Sequence, residues 1–214
     1  MNEKEILRYL GFGRHEADEQ TLLLIRQCYA ELEREAVPRH ICREYPLSVS
    51  GEVLDLGCLR TASKSLSKNL ADCSGVILFA ATLGSRVDIL LKRYGALQMS
   101  KAVVMQAAAV AMLEDYCDEV NRQLKLRYEQ DGKYLRPRFS PGYGDFSLEC
   151  QREIAAALEL SKRIGITLTD SLLMVPTKSV TAVIGIGSRQ GNCTIAGCEA
   201  CERDTCAYRR NEGR

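Results

Sequence analysis

Apolar residues along the chain recur in two periods, and the change from one to the other marks out the elements. Ile6, Leu7 and Leu10 follow Asn2 at helical spacing and stop at Gly11, which predicts a short capped helix. Leu22, Ile25, Tyr29 and Leu32 form one face of a second helix, about residues 18–35, which Pro38 ends. The pattern then alternates over residues 39–46 and again near 53–56, as strands do. Residues 76–81 are uniformly apolar, which suits a strand buried on both faces. Thr82-Leu83-Gly84-Ser85 turns that strand into a helix reaching about Tyr94. The longest periodic segment, about residues 99–128, is a helix in two characters. Its Ala- and Met-rich first half reads as buried between other elements, and its charged second half as partly solvated.

Gly132 breaks that helix, and residues 134–147 are predicted as a loop. A single helix is expected over about 148–164, stopped by Gly165, and then a hairpin-like stretch with a strand at 179–184. Strands and helices do not alternate regularly enough for a doubly wound sheet. The expected class is therefore α+β, a mainly antiparallel twisted sheet with flanking helices. A main domain over 1–187 would be followed by a Gly- and Cys-rich tail over 188–214.

Composition narrows the function classes. The 214 residues are 46% hydrophobic and 27% charged, with a formal net charge of +1, so no electrostatic case exists for nucleic acid or an anionic membrane. The charged start and the short apolar runs predict neither a signal peptide nor a membrane span, and cytoplasm is the expected location. Ten cysteines without an export signal read as thiols or metal ligands. With only His15 and His40, no Ser/His/Asp or Cys/His constellation is present.

Two constellations carry chemistry. The first is Arg138-Phe139-Ser140-Pro141-Gly142-Tyr143. A guanidinium can hold a carboxylate through two parallel hydrogen bonds, and a Pro-Gly turn lets backbone approach a ligand closely. A surface ion pair beside an ordinary turn would use the same residues. The second is Cys193, Cys198, Cys201 and Cys206, spaced C-x4-C-x2-C-x4-C. Thiolates so placed can converge on zinc, or on an iron–sulfur cluster, since the first three copy a [2Fe–2S] spacing; they can equally remain free thiols. The other six cysteines read as core residues. Gly185-Ile186-Gly187-Ser188-Arg189-Gln190-Gly191 imitates a dinucleotide fingerprint, but its third glycine comes one position late and no helix is predicted after it.

The Arg-to-Tyr motif continues into Gly165-Ile166-Thr167-Leu168-Thr169-Asp170-Ser171, then Met174, Pro176 and Ser179-Val180-Thr181. In order and spacing, roughly residues 136–187 resemble the activation domain of cobalamin-dependent methionine synthase, in a stand-alone form. The resemblance implies that fold. It also implies an accessory role: binding S-adenosylmethionine and a cobalamin-carrying methionine synthase, or another corrinoid protein. There inactive cob(II)alamin is reductively methylated, with one electron from a flavodoxin- or ferredoxin-like donor. The cobalt supplies the nucleophile, so this chain would position a methyl group and need no general base.

Carried over by position, Arg138 would hold the ligand's carboxylate, and Ser140 and Tyr143 would contribute backbone contacts, the latter near the adenine. A family tyrosine aligns with Ile184, a family proline with Gly144, and an acidic ligand-binding residue only loosely with Glu114. The resemblance does not extend to the cysteine tail. Two alternatives remain: a corrinoid-protein docking module that has lost the ligand, and a metal or iron–sulfur redox protein working through the tail.

Overall fold

The structure, a computed structural model, describes residues 1–12 and 15–189. Its first helices begin where short polar side chains can take up free amides. In α1 (Glu3–Tyr9) Asn2 accepts from the Glu5 amide, and in α2 (Glu19–Glu35) Asp18 accepts from the Thr21 amide. The chain continues through β1 (Arg39–Pro46), a small three-stranded sheet β2 (Ser48–Ser50), β3 (Val53–Asp55) and β4 (Arg60–Ala62), and the short helix α3 (Lys64–Asn69). The apolar run forms β5 (Cys73–Thr82), followed by α4 (Ser85–Leu97) and the 32-residue α5 (Met99–Gln130). After β6 (Tyr134–Leu135) come α6 (Cys150–Ala157), α7 (Leu160–Ile164), a two-stranded β7 (Thr167–Leu168) and β8 (Met174–Val175), and finally β9 (Ser179–Gly187).

The main sheet has the order β1-β5-β9-β6, antiparallel throughout, so the expected α+β class with an antiparallel sheet is what the chain forms. Both faces are covered, which explains the unbroken apolar run of β5. Ile77, Phe79 and Ala81 join Ala182 and Ile184 of β9 under the α1, α2, α4 and α5 layer. Val76, Leu78 and Ala80 point the other way, with Val183, toward Leu54, Leu66, Phe146, Ile154 and Leu160. The first half of α5 is the centre of the helical layer: Ala107, Ala108, Ala109, Ala111 and Met112 are all buried, as its composition predicted.

Three details differ from expectation. The short elements β2, β4 and α3 are too brief and polar to leave a periodic signal. The loop over 134–147 contains a strand, because Tyr134 and Leu135 pair with Gly187 and Ile186. The expected helix over 148–164 is broken in two at Glu159, whose φ is 51°. The break is tertiary in origin. The freed Ala157 carbonyl accepts from Arg43 Nη1 at 2.6 Å and from the Tyr45 hydroxyl at 3.1 Å. Buried Leu158 and Leu160 meanwhile hold both sides of the bend in the core.

Candidate functional site

Beyond β6 the chain continues alongside β9 and carries the Arg-to-Tyr motif with it. The Arg136 amide donates to the Gly185 carbonyl at 2.8 Å, and Phe139 exchanges two backbone hydrogen bonds of 2.9 Å with Val183. Three steps of chain from Arg136 to Phe139 therefore lie against two steps of β9. Pro137, which has no N–H to offer, sits in the surplus. This bulge sends the two arginines to opposite faces of the sheet.

Arg136, 6% exposed, lies against Gly185 and Gly187 and donates to the Ala71 carbonyl at 3.3 Å. Gly185 is glycine for that reason. A Cβ there would come within 2.7 Å of Cys73 Sγ and Leu70 Cδ2 and 2.9 Å of Arg136 Cγ. Gly185 and Gly187 of the nucleotide-like string thus leave room against β9 for groups from neighbouring segments.

Arg138 turns toward α5. Its Nη2 donates to Glu114 Oε2 at 3.0 Å and to Asp118 Oδ1 at 2.8 Å. These acids are four apart and so share one helix face. The Arg138 side chain is 17% exposed. Its Nη1 is enclosed and has no hydrogen-bond partner among the described residues. Nearby Cys117 is buried, and that burial pushes its thiol up to about 12. Phe139, on the other face, packs into the second core and meets the Tyr143 ring edge-on at 5.3 Å.

The turn itself is closed by backbone bonds from the Tyr143 amide to the Ser140 carbonyl (3.1 Å) and from the Gly142 amide to the Phe146 carbonyl (2.8 Å). Gly142 has φ 87°, a conformation that favours glycine. Ser140 is half-buried and Tyr143 is 56% exposed, so the turn presents its tip to solvent. Arg138, Ser140 and Tyr143 are thus gathered on one short segment.

Sequence reasoning placed Glu114 near this segment only loosely and missed Asp118. A Glu-x3-Asp pair on a long helix was the available signal. Ile184 is fully buried in the helical core, so the position of the family tyrosine is a packing position in this chain. A hollow of about 320 Å³ lined by Glu44, Tyr45, Ser74 and Lys133 lies at the other end of the sheet and includes no motif residue.

The four tail cysteines lie outside the described residues. Among the described residues no group of His, Cys, Asp and Glu is arranged to hold a metal ion, and Cys28, Cys42, Cys58, Cys117 and Cys150 are free thiols. Burial pushes Cys28 and Cys42 up to about 11, so both stay protonated at neutral pH. No helix among the described residues is long and apolar enough to cross a membrane.

Comparison with known families decides the relationship. Residues 64–210 match the family described as vitamin B12 dependent methionine synthase, activation domain. The chain belongs to this family. The matched stretch takes in the motif turn, all of β9 and the four tail cysteines, so it runs further than the resemblance read from the sequence. A similar solved structure is the "Crystal Structure of the MetH Reactivation Domain bound to AdoHcy". It is 16% identical, with a TM-score of 0.57, and the alignment covers 88% of this chain and 77% of that one, a likeness of fold. No curated protein matches this chain.

Proposed function

We propose that this activation-domain protein binds S-adenosylmethionine through the Arg138 turn and presents it to a cobalamin-carrying methionine synthase or other corrinoid protein, for reductive methylation of cob(II)alamin. The observation that carries the reading is the enclosed Arg138 Nη1. A wholly structural arginine would also pair with Glu114 and Asp118. It would not leave a buried donor nitrogen unmatched, since burying an unpaired donor on a charged group costs more than leaving a neutral one unpaired. A ligand carboxylate supplies the missing acceptor. Glu114 and Asp118 on the same side offer negative charge to the ammonium and sulfonium ends of such a molecule. The cobalamin on the partner supplies a strongly nucleophilic metal once an electron arrives. This chain's own residues hold, orient and shield the donor, so absence of a general base is no obstacle.

Titration calorimetry with S-adenosylmethionine, with and without a cob(II)alamin-loaded partner, tests the reading. Saturable binding in at least one setting is expected, and heat of dilution alone in both would overturn it. Reduction by a flavodoxin- or ferredoxin-like protein belongs to the same proposal.

A docking module that has lost the ligand is the second reading, favoured by the buried Ile184 and by the ion pair already on Arg138. It predicts partner capture that does not respond to S-adenosylmethionine. The C-terminal cysteines, on the proposed tail over 188–214, are offered as a zinc or iron–sulfur site at Cys193, Cys198, Cys201 and Cys206. A redox role there is the third reading. Metal analysis and visible absorption of anaerobically purified protein decide it.

A further inference from the structure

Between the motif turn and α6 stands a carboxylate that no part of the preceding reading uses. Asp145 Oδ1 accepts from the Ser63 hydroxyl at 2.6 Å and the Ser65 amide at 3.0 Å, and Oδ2 accepts from the Lys64 amide at 2.8 Å. Ser63, 2% exposed, is itself the cap of α3, its Oγ accepting from the Leu66 amide at 3.0 Å. One hydrogen-bond chain therefore joins α3 to a loop some 80 residues later.

The approach is tight. A Cβ on Gly144, at φ 58°, would lie 2.9 Å from Ser65 Oγ and 3.2 Å from Ser65 Cβ. Phe146, on the other side of Asp145, is buried in the second core and returns its carbonyl to the Gly142 amide. The segment between the two ends of that bond is thus held against the start of α3 at Gly144 and Asp145.

We infer that Asp145 is a positioning residue for the ligand site, clamping the Ser140-to-Phe146 turn to the start of α3 so that the turn's backbone is set before ligand arrives. Preorganisation of this kind raises affinity by removing an ordering cost at binding. Three donors on one carboxylate also hold it ionised, with its pKa well below the ordinary carboxylate range, mainly through the Ser63 hydroxyl and the Ser65 amide. The affinity part of the inference rests on the proposed S-adenosylmethionine reading; the clamp itself does not.

The test uses the full chain and two variants. Asp145→Asn keeps an acceptor for Ser63 and Ser65 but turns an N–H donor toward the Lys64 amide. Lys64→Pro deletes that amide at the first position of α3, where proline is well tolerated, and leaves Asp145 intact. S-adenosylmethionine affinity and amide exchange at Gly142 and Phe146 are measured below the thermal transition, with Ile184 exchange as the core reference. Loss of hydrogen bonds to a charged group predicts about tenfold weaker binding and about tenfold faster exchange at the turn, with Ile184 unchanged.

A merely structural Asp145 would lower the melting temperature and leave affinity and turn exchange alone, and that result would overturn the inference. If the asparagine variant does not fold, the proline variant decides by the same readouts. If the unmodified chain fails to bind S-adenosylmethionine both with and without the cob(II)alamin-loaded partner, the functional reading falls. Turn exchange then still separates a clamp, seen as faster exchange in the variants, from none.

Discussion

At Arg138 Nη2 serves two acids while Nη1 meets no partner among the described residues, and this asymmetry makes a quantitative prediction. Replacing Arg138 with alanine should weaken S-adenosylmethionine binding by roughly 1.5–3 kcal/mol, the range for hydrogen bonds to charged groups, which calorimetry would read as about ten- to hundredfold in Kd. Wild-type affinity in that variant would remove the carboxylate role. Asp145 gives a prediction in pH. Its folded pKa is depressed, so the stability it contributes is present above the ordinary carboxylate value near 4 and is lost as pH falls through the depressed one. The Lys64 and Ser65 amide chemical shifts should therefore stay constant from pH 8 to about 5 and move only below about 4. A transition near neutral pH would contradict the clamp. Arg138 itself was legible in the sequence because Arg, Pro, Gly and Tyr keep a fixed local spacing. Asp118 and Asp145 were not, because their partners lie 20 and about 80 residues away and only the folded topology brings them together.

Among elements, what the sequence foretold is what local pattern controls. The cap Asn2, the uniform run of β5 and the Ala-rich half of α5 follow from side-chain chemistry within one turn or one strand. The interruption at Glu159 has neither glycine nor proline to announce it. It arises because Arg43 and Tyr45 of β1 claim the Ala157 carbonyl, a contact more than 110 residues long-range. The bulge around Pro137 is similar, since it exists only against β9. Gly185 permits a direct check at this scale. Alanine there should destabilise the fold by about 1–3 kcal/mol, as overpacking in a filled interior does, because three side-chain atoms already lie within 3.0 Å of the added carbon. Denaturant unfolding measures it, and an unchanged midpoint would mean that Arg136 is not held against β9 as described.

For the whole molecule, the family match running to residue 210 makes the tail a matter for experiment. Chains cut after Gly187 keep every strand of the main sheet and should retain its cooperative unfolding, while losing any metal carried by the four cysteines. Loss of the unfolding transition in the shortened protein would show that the proposed division at 187/188 is misplaced. The main sheet also has a bearing on solubility. One margin is β1, with Arg39, His40, Arg43 and Glu44 along it and Pro46 at its end. The opposite margin is two residues of β6 and then the bulged stretch to Phe139, before the chain bends into the motif turn. A charged, proline-ended border on one side and an abbreviated one on the other give a second molecule no long flat ladder to extend. Such a protein can expose its motif turn at high concentration while resisting growth of its own sheet into fibres.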